Sequence, residues 1–367
     1  MDKTTDTQAV LGNLPKRKIK TILNDPVKSA EVINLVYVTD SSPGIIRKKS
    51  GTSFSYFLGD KEVKDQEIIL RIKSLVIPPA WENVWICALH NGHLQATGLD
   101  ARKRKQYRYH PHWNALRNHT KFYRMIDFGK ALPDIRLQIE KDLSLPGLPL
   151  RKILATVVSL MERTNIRVGN NIYEKLYGSF GLTTLKDKHV DINGSDLKFT
   201  FKGKKGVAHT ITLKNKKLAK IVQQSRDIPG KELFQYYNEK GEKCSIDSGM
   251  VNEYIRELCG GKDFTAKDFR TWAGTVNAFL AFKELGPADS QKGIKENVIQ
   301  ALDKVASQLG NTRTVCKKYY VHPAVISLYE NREIGKYTQE LDEIEKDDNK
   351  AALTSEERVI MTILQKQ

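Results

Sequence analysis

Residues 309–323 read LGNTRTVCKKYYVHP and set two tyrosines, Tyr319 and Tyr320, side by side before Val-His-Pro. An unperturbed phenol titrates near pH 10 and is a poor nucleophile at neutral pH. One ring packed in the core and the other hydrogen-bonded at the surface would satisfy an arbitrary pair. A tyrosine becomes a reagent only where cations stabilise its phenolate and the charge that builds on a phosphate. Arg167, Lys204, Arg270 and Asn311 are groups of that kind.

Each of these also has a plainer reading. In ERTNIRVGN (162–170) the side chains of Arg163 and Arg167, four apart, can share a face where a helix ends, which suits either a surface salt bridge or an oxyanion. Lys204 stands in the hairpin tip KGKKG, either solvated or able to swing onto a ligand and deliver a proton. Thr265-x-x-Asp268 is a capping box that opens a helix with Lys267 and Arg270 in its first turns. Cations are unusual there, because the helix dipole favours acids or a bound anion.

The densest basic patch, RKRKQYRY (102–109), begins at Arg102. If extended, it projects Lys105, Tyr107 and Tyr109 to one side and Gln106 and Arg108 to the other. Cations can hold phosphates and Gln can read a base edge, while the alternative is a solvated edge strand protected by charge. The whole chain leans the same way: 60 Lys and Arg oppose 43 Asp and Glu in 367 residues, a net +17. Such a balance makes a polyanion, nucleic acid first, the expected partner. No apolar run approaches the roughly 20 residues that cross a bilayer, and the first residues lack a signal-peptide pattern. A cytoplasmic protein is expected, with no membrane partner. The four cysteines are scattered without a C-x-x-C pair, so reduced thiols are expected. His110 and His112 cluster with no further ligands grouped nearby, and no metal site is expected.

The elements that must position these groups fall into an α+β order. Residues 1–28 are polar, with a basic run from Lys16 to Lys20, and read as a mobile arm. Residues 29–113 read as a small β-rich domain: NLVYVTD, TSFSYF, then VWICAL and GHLQAT about a turn at Asn91-Gly92, with one helix near Asp65–Ser74. Residues 114–367 read as a larger, mainly helical domain. Its clearest helices are Lys152–Glu162, with Gly169 as its stop, and Gly293–Gly310. Between them, alternating Leu197, Phe199, Phe201 and Val207, His209, Ile211, Leu213 give a hairpin. An acidic segment follows near 339–350, and Thr354-x-x-Glu357 opens a last helix.

Together these pieces resemble the type IB DNA topoisomerase family, in its small poxvirus-like and bacterial branch. The resemblance is carried in unbroken order by IPPAW (77–81), GHLQATGLDARKRKQYRYHP (92–111), ERTNIRVGN with YGSFGLTTLKDKHV (162–190), FKGKKGVAH (201–209), KDFRTWAGT (267–275) and LGNTRTVCKKYYVHPAV (309–325). It covers roughly residues 30–330. It implies a clamp around double-stranded DNA, with Tyr320 as nucleophile and Tyr319 as its neighbour. Arg167 and Arg270 would hold the scissile phosphate, Lys204 would protonate the leaving 5′ oxygen, and Lys267 would assist. Asn311 stands where poxvirus enzymes carry His. Tyr173 would contact phosphate, and Gln106, Tyr107 and Tyr109 would contact DNA beside the basic Arg102 and Lys105.

The implied reaction relaxes supercoils through a 3′-phosphotyrosine without ATP, metal or other cofactor, and a monomer is expected. Lys103 and Arg313 depart from the bacterial pattern at local turns. The tyrosine segment is expected to stand partly away from the cations. Two rival readings are a tyrosine recombinase, whose helix usually offers His-x-x-Arg where this chain has Lys267-x-x-Arg270, and a non-catalytic architectural DNA-binding protein.

Overall fold

Regular strands begin where β-branched and aromatic residues alternate and stop at turns, and the computed structural model follows that rule in its first unit. It describes residues 25–366 except 52, 101, 102, 104, 263 and 345–350, and leaves out the side chains of 118–121, 123, 172 and 173. Two compact units divide between Tyr123 and Arg124.

The first unit is built on β1 (Ile45–Ser50), β2 (Ser53–Leu58), β3 (Lys61–Glu62), β4 (Glu82–Ile86), β5 (Leu94–Leu99) and β6 (Lys105–Tyr109). They form one antiparallel sheet in the order β3-β2-β1-β4-β5-β6, so the basic strand β6 is an edge. Helix α1 (Pro26–Val32) starts at Asp25, whose carboxylate accepts from the Val27 and Lys28 amides. Helix α2 (Gln66–Ser74) is capped likewise by Asp65. It buries Ile72 with Ile45, Val84, Ile86 and Ala96 on one sheet face, while Trp85, Cys87 and Leu94 pack on the other.

Two expectations are corrected here. The expected arm 1–28 ends in an ordered helix: α1 buries Ala30 in a cluster with Ile33, Leu35, Trp113 and Leu116, while residues 1–24, including the basic run, lie outside the described residues. NLVYVTD is not a strand. Asn34 adopts a left-handed φ of 57° and only Val36 bridges, to Gly92. The Tyr37 ring stacks on His93 at 4.2 Å between centroids.

Helix α3 (Pro111–Leu143) runs across the division. In the second unit it is followed by α4 (Leu150–Thr164), α5 (Asn171–Tyr177), the sheet β7 (Val190–Asn193), β8 (Asp196–Lys202), β9 (Ala208–Lys214), then α6 (Lys216–Arg226) and the small pair β10 (Gln235–Tyr237), β11 (Lys243–Ser245). Helices α7 (Ser248–Leu258), α8 (Ala266–Leu285), α9 (Gln291–Leu309), α10 (Arg313–Tyr319), α11 (Pro323–Glu330), α12 (Gly335–Glu343) and α13 (Ser355–Gln365) complete it. The first unit is thus β-rich and the second mainly helical. The short β7, β10 and β11 lack a long alternating pattern and are additions to the sequence reading.

Helix α4 is the central element: every residue from Ile153 to Met161 is buried, more than the single face expected. Its polar Thr156 turns back to the Lys152 carbonyl at 2.7 Å. The helix also stops earlier than Gly169, at Asn165 in the left-handed conformation (φ 57°). Gly169, with φ 103°, serves a different purpose. It meets Gly181 across the chain, where an added Cβ at 181 would lie 2.6 Å from both the Arg167 carbonyl oxygen and the Gly169 backbone. The Leu182 amide then bonds Arg167 O at 2.9 Å and fixes the segment that carries this arginine. Backbone cannot yield as a flexible side chain can, so Gly181→Ala is expected to cost about 1–3 kcal/mol. Urea unfolding monitored by circular dichroism measures it.

Candidate active site

Arg270 lies on the second turn of α8, whose start is the expected capping box: the Asp268 carboxylate accepts from the Thr265 amide at 2.8 Å. The residue is 5% exposed. It donates to the Asn165 carbonyl at the end of α4 and to Leu309 O at the end of α9, the latter at 2.7 Å. Its Nε has no hydrogen-bond partner among the described residues. Burial lowers the pKa of this group, and Tyr320 partly offsets the effect.

Arg167 reaches the same place from the segment after α4. Its Nη2 donates to Gly310 O at 2.9 Å and to Asn311 Oδ1 at 2.6 Å. Burial, then repulsion from Arg270, pulls its pKa down to about 10. Carbonyl dipoles, not carboxylates, therefore receive both guanidiniums, and their net charge stays available to an anion. Asn311 spends its oxygen on orienting Arg167, while its Nδ2 approaches only Leu309 O, at 3.5 Å.

The tyrosine segment, expected to stand partly away, is docked among these cations. The Tyr320 ring centroid lies 5.4 Å from the Arg270 guanidinium carbon. The Thr275 hydroxyl, one helical turn past Arg270, lies 3.3 Å from the Tyr320 carbonyl and accepts from the His322 amide at 3.0 Å. Gly274 permits the contact, since a Cβ there would fall 2.6 Å from Tyr320 O. Tyr319 ends α10 with Lys318 Nζ 5.4 Å from its ring centroid. Cys316, one turn earlier, is buried, and its thiol is pushed up to about 11 by burial despite both arginines.

Lys204 sits exposed at the expected hairpin tip, beside Lys205 at φ 63°. A residue that the sequence reading left as ordinary alternation ties this tip to the arginines. The His209 ring stacks on Phe201 at 5.2 Å. It fills the space next to Gly203 and Gly310: Nε2 lies 2.6 Å and 2.9 Å from where their Cβ atoms would be. Burial, then Arg167 and Arg270, lower its pKa and hold the imidazole neutral. A titratable ring within an apolar β pattern was the available signal.

The structure thus gathers Arg167, Arg270, Asn311 and Tyr320, and His209 packs against Gly203, the residue before Lys204. Lys267 is exposed on the first turn of α8, with no described contact to that group. In the first unit Lys105 pairs with Asp40 at 2.5 Å and Gln106 bonds Asp100 at 2.9 Å. Tyr107 and Tyr109 stack at 5.8 Å on one side of β6, while Arg108 bonds Val76 O on the way to Trp81, as extended geometry requires. Arg102 and the Tyr173 side chain lie outside the description; Tyr173 belongs to α5. His110 Nδ1 accepts from the His112 amide at 3.2 Å. Among the described residues no three His, Cys, Asp or Glu are grouped to hold a metal, and no helix is long and apolar enough to cross a membrane.

The electrostatics give a test. Because the folded pKa of Arg167 is lowered to about 10, below the ordinary arginine range, its burial destabilises the fold in full at every pH below about 10, and the penalty declines only as pH rises above that value toward the unfolded pKa. A bound dianion relieves the penalty at neutral pH. Sulfate is expected to raise the melting temperature more than chloride at equal ionic strength, by about 1.4 kcal/mol of stability at ten times its Kd. Arg167→Gln should lose most of that increment in calorimetry.

Comparison with known proteins bears on the family of the chain. The family described as eukaryotic DNA topoisomerase I, catalytic core, matches residues 104–348, and the bacterial DNA topoisomerase IB N-terminal domain matches 53–100. DNA topoisomerase 1B of Acanthamoeba polyphaga mimivirus is 34% identical over 297 residues, 78% of this chain and 88% of that protein. DNA topoisomerase 1B of Vaccinia virus (strain Copenhagen) is 24% identical over 257 residues, 69% of this chain and 77% of its own length. DNA topoisomerase I of Monkeypox virus matches over the same span at the same identity. Both the order of the motifs and the extent of these matches place the chain in one group: it belongs to the type IB DNA topoisomerase family, with the poxvirus-like enzymes.

Proposed function

We propose that this isomerase relaxes supercoiled duplex DNA by a reversible transesterification in which Tyr320 is the nucleophile. The observation that carries the reading is the Tyr320 phenol docked against a nearly buried Arg270 whose Nε is unsatisfied, next to an Arg167 aimed by Asn311. Two guanidiniums without carboxylate partners among the described residues fit the two charged non-bridging oxygens of a pentavalent phosphorus.

The Tyr320 phenol gives up its proton to solvent, its oxygen held as a phenolate beside the two guanidiniums, and that oxygen forms a bond to phosphorus as the bond to O5′ breaks. Lys204, carried on the exposed hairpin tip, donates its proton to the departing 5′ oxygen, and Lys267 assists at the phosphate. A 3′-phosphotyrosine and a free 5′-hydroxyl result. One phosphoester replaces another, so the bond energy is conserved and the cycle closes without ATP or a metal. The free end rotates, and its hydroxyl then reverses the attack. Gln106, Tyr107, Tyr109 and Lys105 on the edge strand, with Arg102 and Tyr173, hold the duplex. Competing intramolecular partners of Lys105 and Gln106 must exchange for DNA. The protein acts as a monomer in a DNA-containing compartment of the cytoplasm.

Supercoiled plasmid incubated in EDTA without ATP tests this. The parent protein should relax it and leave a covalent adduct, whereas Tyr320→Phe should do neither. Relaxation by that variant would exclude Tyr320 as nucleophile. Tyr319→Phe should retain most activity. Lys204→Ala should slow single-turnover cleavage by about 10²–10⁴, the usual range for losing a general acid. A recombinase would need paired specific sites, and an architectural protein would bind without an adduct.

A further inference from the structure

Glu357 stands on α13, beyond residue 348 where the family match ends, yet it is 6% exposed. Its carboxylate takes four hydrogen bonds. Arg136 Nη1 and Nη2 donate to the two oxygens at 2.9 and 2.7 Å. Trp272 Nε1 donates at 2.8 Å and the Thr354 amide at 2.9 Å. That saturates the roughly four lone-pair sites of a carboxylate. A buried ion pair is weak evidence for stability, because desolvation offsets the attraction and apolar replacements often serve as well. Its connections give another reason for its presence.

From Glu357 the contacts close into a circuit. Trp272 is two residues past Arg270 on α8. Arg270 donates to the Asn165 carbonyl at the end of α4. Glu162, in the last turn of α4, receives Arg136 Nε at 2.7 Å, and Arg136 returns to Glu357. The circuit passes through both segments that present the guanidiniums: α8 with Arg270, and the exit of α4 that leads to Arg167. Helix α13 is seated at close range. A Cβ on Gly129 would lie 2.4 Å from Met361 Sδ and 2.6 Å from the Trp272 ring. Val359, Ile360 and Ile363 are each 0% exposed.

We propose that Glu357 is a positioning residue for the transesterification: the C-terminal helix holds the two guanidinium-bearing segments in register through this carboxylate. The inference rests on the reading of Tyr320, Arg167 and Arg270 given above. It makes α13 part of the apparatus that positions the reacting groups.

The experiment uses the full chain and a duplex built on the strongest break that the parent protein makes, with a leaving strand short enough to depart, so that religation stops. Adduct formation is followed at increasing protein concentration, giving a saturating rate and a half-saturation point. Glu357→Gln should lower the saturating rate about tenfold or more, with half-saturation within about twofold of the parent. Trp272→Phe, which keeps an aromatic side chain but loses the pyrrole half of the indole with its N–H donor, should lower it in the same sense by a smaller factor. Val359→Ala, on the same helix but off the circuit, should lose stability and keep the parent's rate at a temperature where all variants are folded.

A parent-like rate in Glu357→Gln would overturn the inference, as would an equal loss in Val359→Ala or a loss confined to half-saturation. If Glu357→Gln does not fold, Trp272→Phe decides, and a parent-like rate there has the same consequence. A parent protein that forms no adduct would instead overturn the reading of Tyr320, and this inference with it.

Discussion

A buried guanidinium beside a half-buried one, with no carboxylate pairing either among the described residues, is the constraint around which the second unit is organised. Arg167 and Arg270 repel each other, and burial costs each of them free energy. They are held by main-chain carbonyls at the ends of α4 and α9, groups left over where helical hydrogen bonding stops. Arg136 shows the other way to bury the same side chain. It meets Glu162 and Glu357, and those carboxylates hold its proton more firmly than in water. One arginine is neutralised internally and is structural. The other two are left for something the protein does not contain within itself, and a phosphate fits that description.

The chemistry was easier to read from the sequence than the geometry. Arg167, Arg270, Asn311 and Tyr320 lie in short motifs that residue types alone left open and that acquired phosphate roles only through their order in the family, while the order of the β-rich and helical parts follows from periodicity. The helix ends at Leu309 and the capping boxes at Thr265 and Thr354 were legible because their signals are local. What failed was either local pattern overridden by tertiary contacts or contact at long range. NLVYVTD alternates like a strand, but the left-handed Asn34 and the stacking of Tyr37 on His93 take it out of the sheet. Gly169 looked like a helix stop because glycine often is one, yet its lack of a side chain is used for the crossing with Gly181.

His209, Gly274 and Glu357 were read only as members of a strand, a motif and a helix cap, for a related reason. Each acts through what it touches across the fold: His209 between Gly203 and Gly310, Gly274 beneath the Tyr320 backbone, Glu357 against Arg136 and Trp272. No spacing along the chain encodes such contacts. The site is accordingly rigid where charge must be stabilised, on α8 and the ends of α4 and α9. It is exposed at the tip that carries Lys204, the proposed proton donor.

Gly310 terminates α9 in the left-handed conformation, offers its carbonyl to Arg167 and leaves room for His209. Helix α9 therefore works as a ruler. Each residue of an α-helix advances about 1.5 Å and turns about 100°, so adding or removing one residue within Gln291–Leu309 would swing Asn311 off Arg167 and carry the tyrosine-bearing helix with it. Sequence along this helix can drift within its buried stripe, but its length cannot.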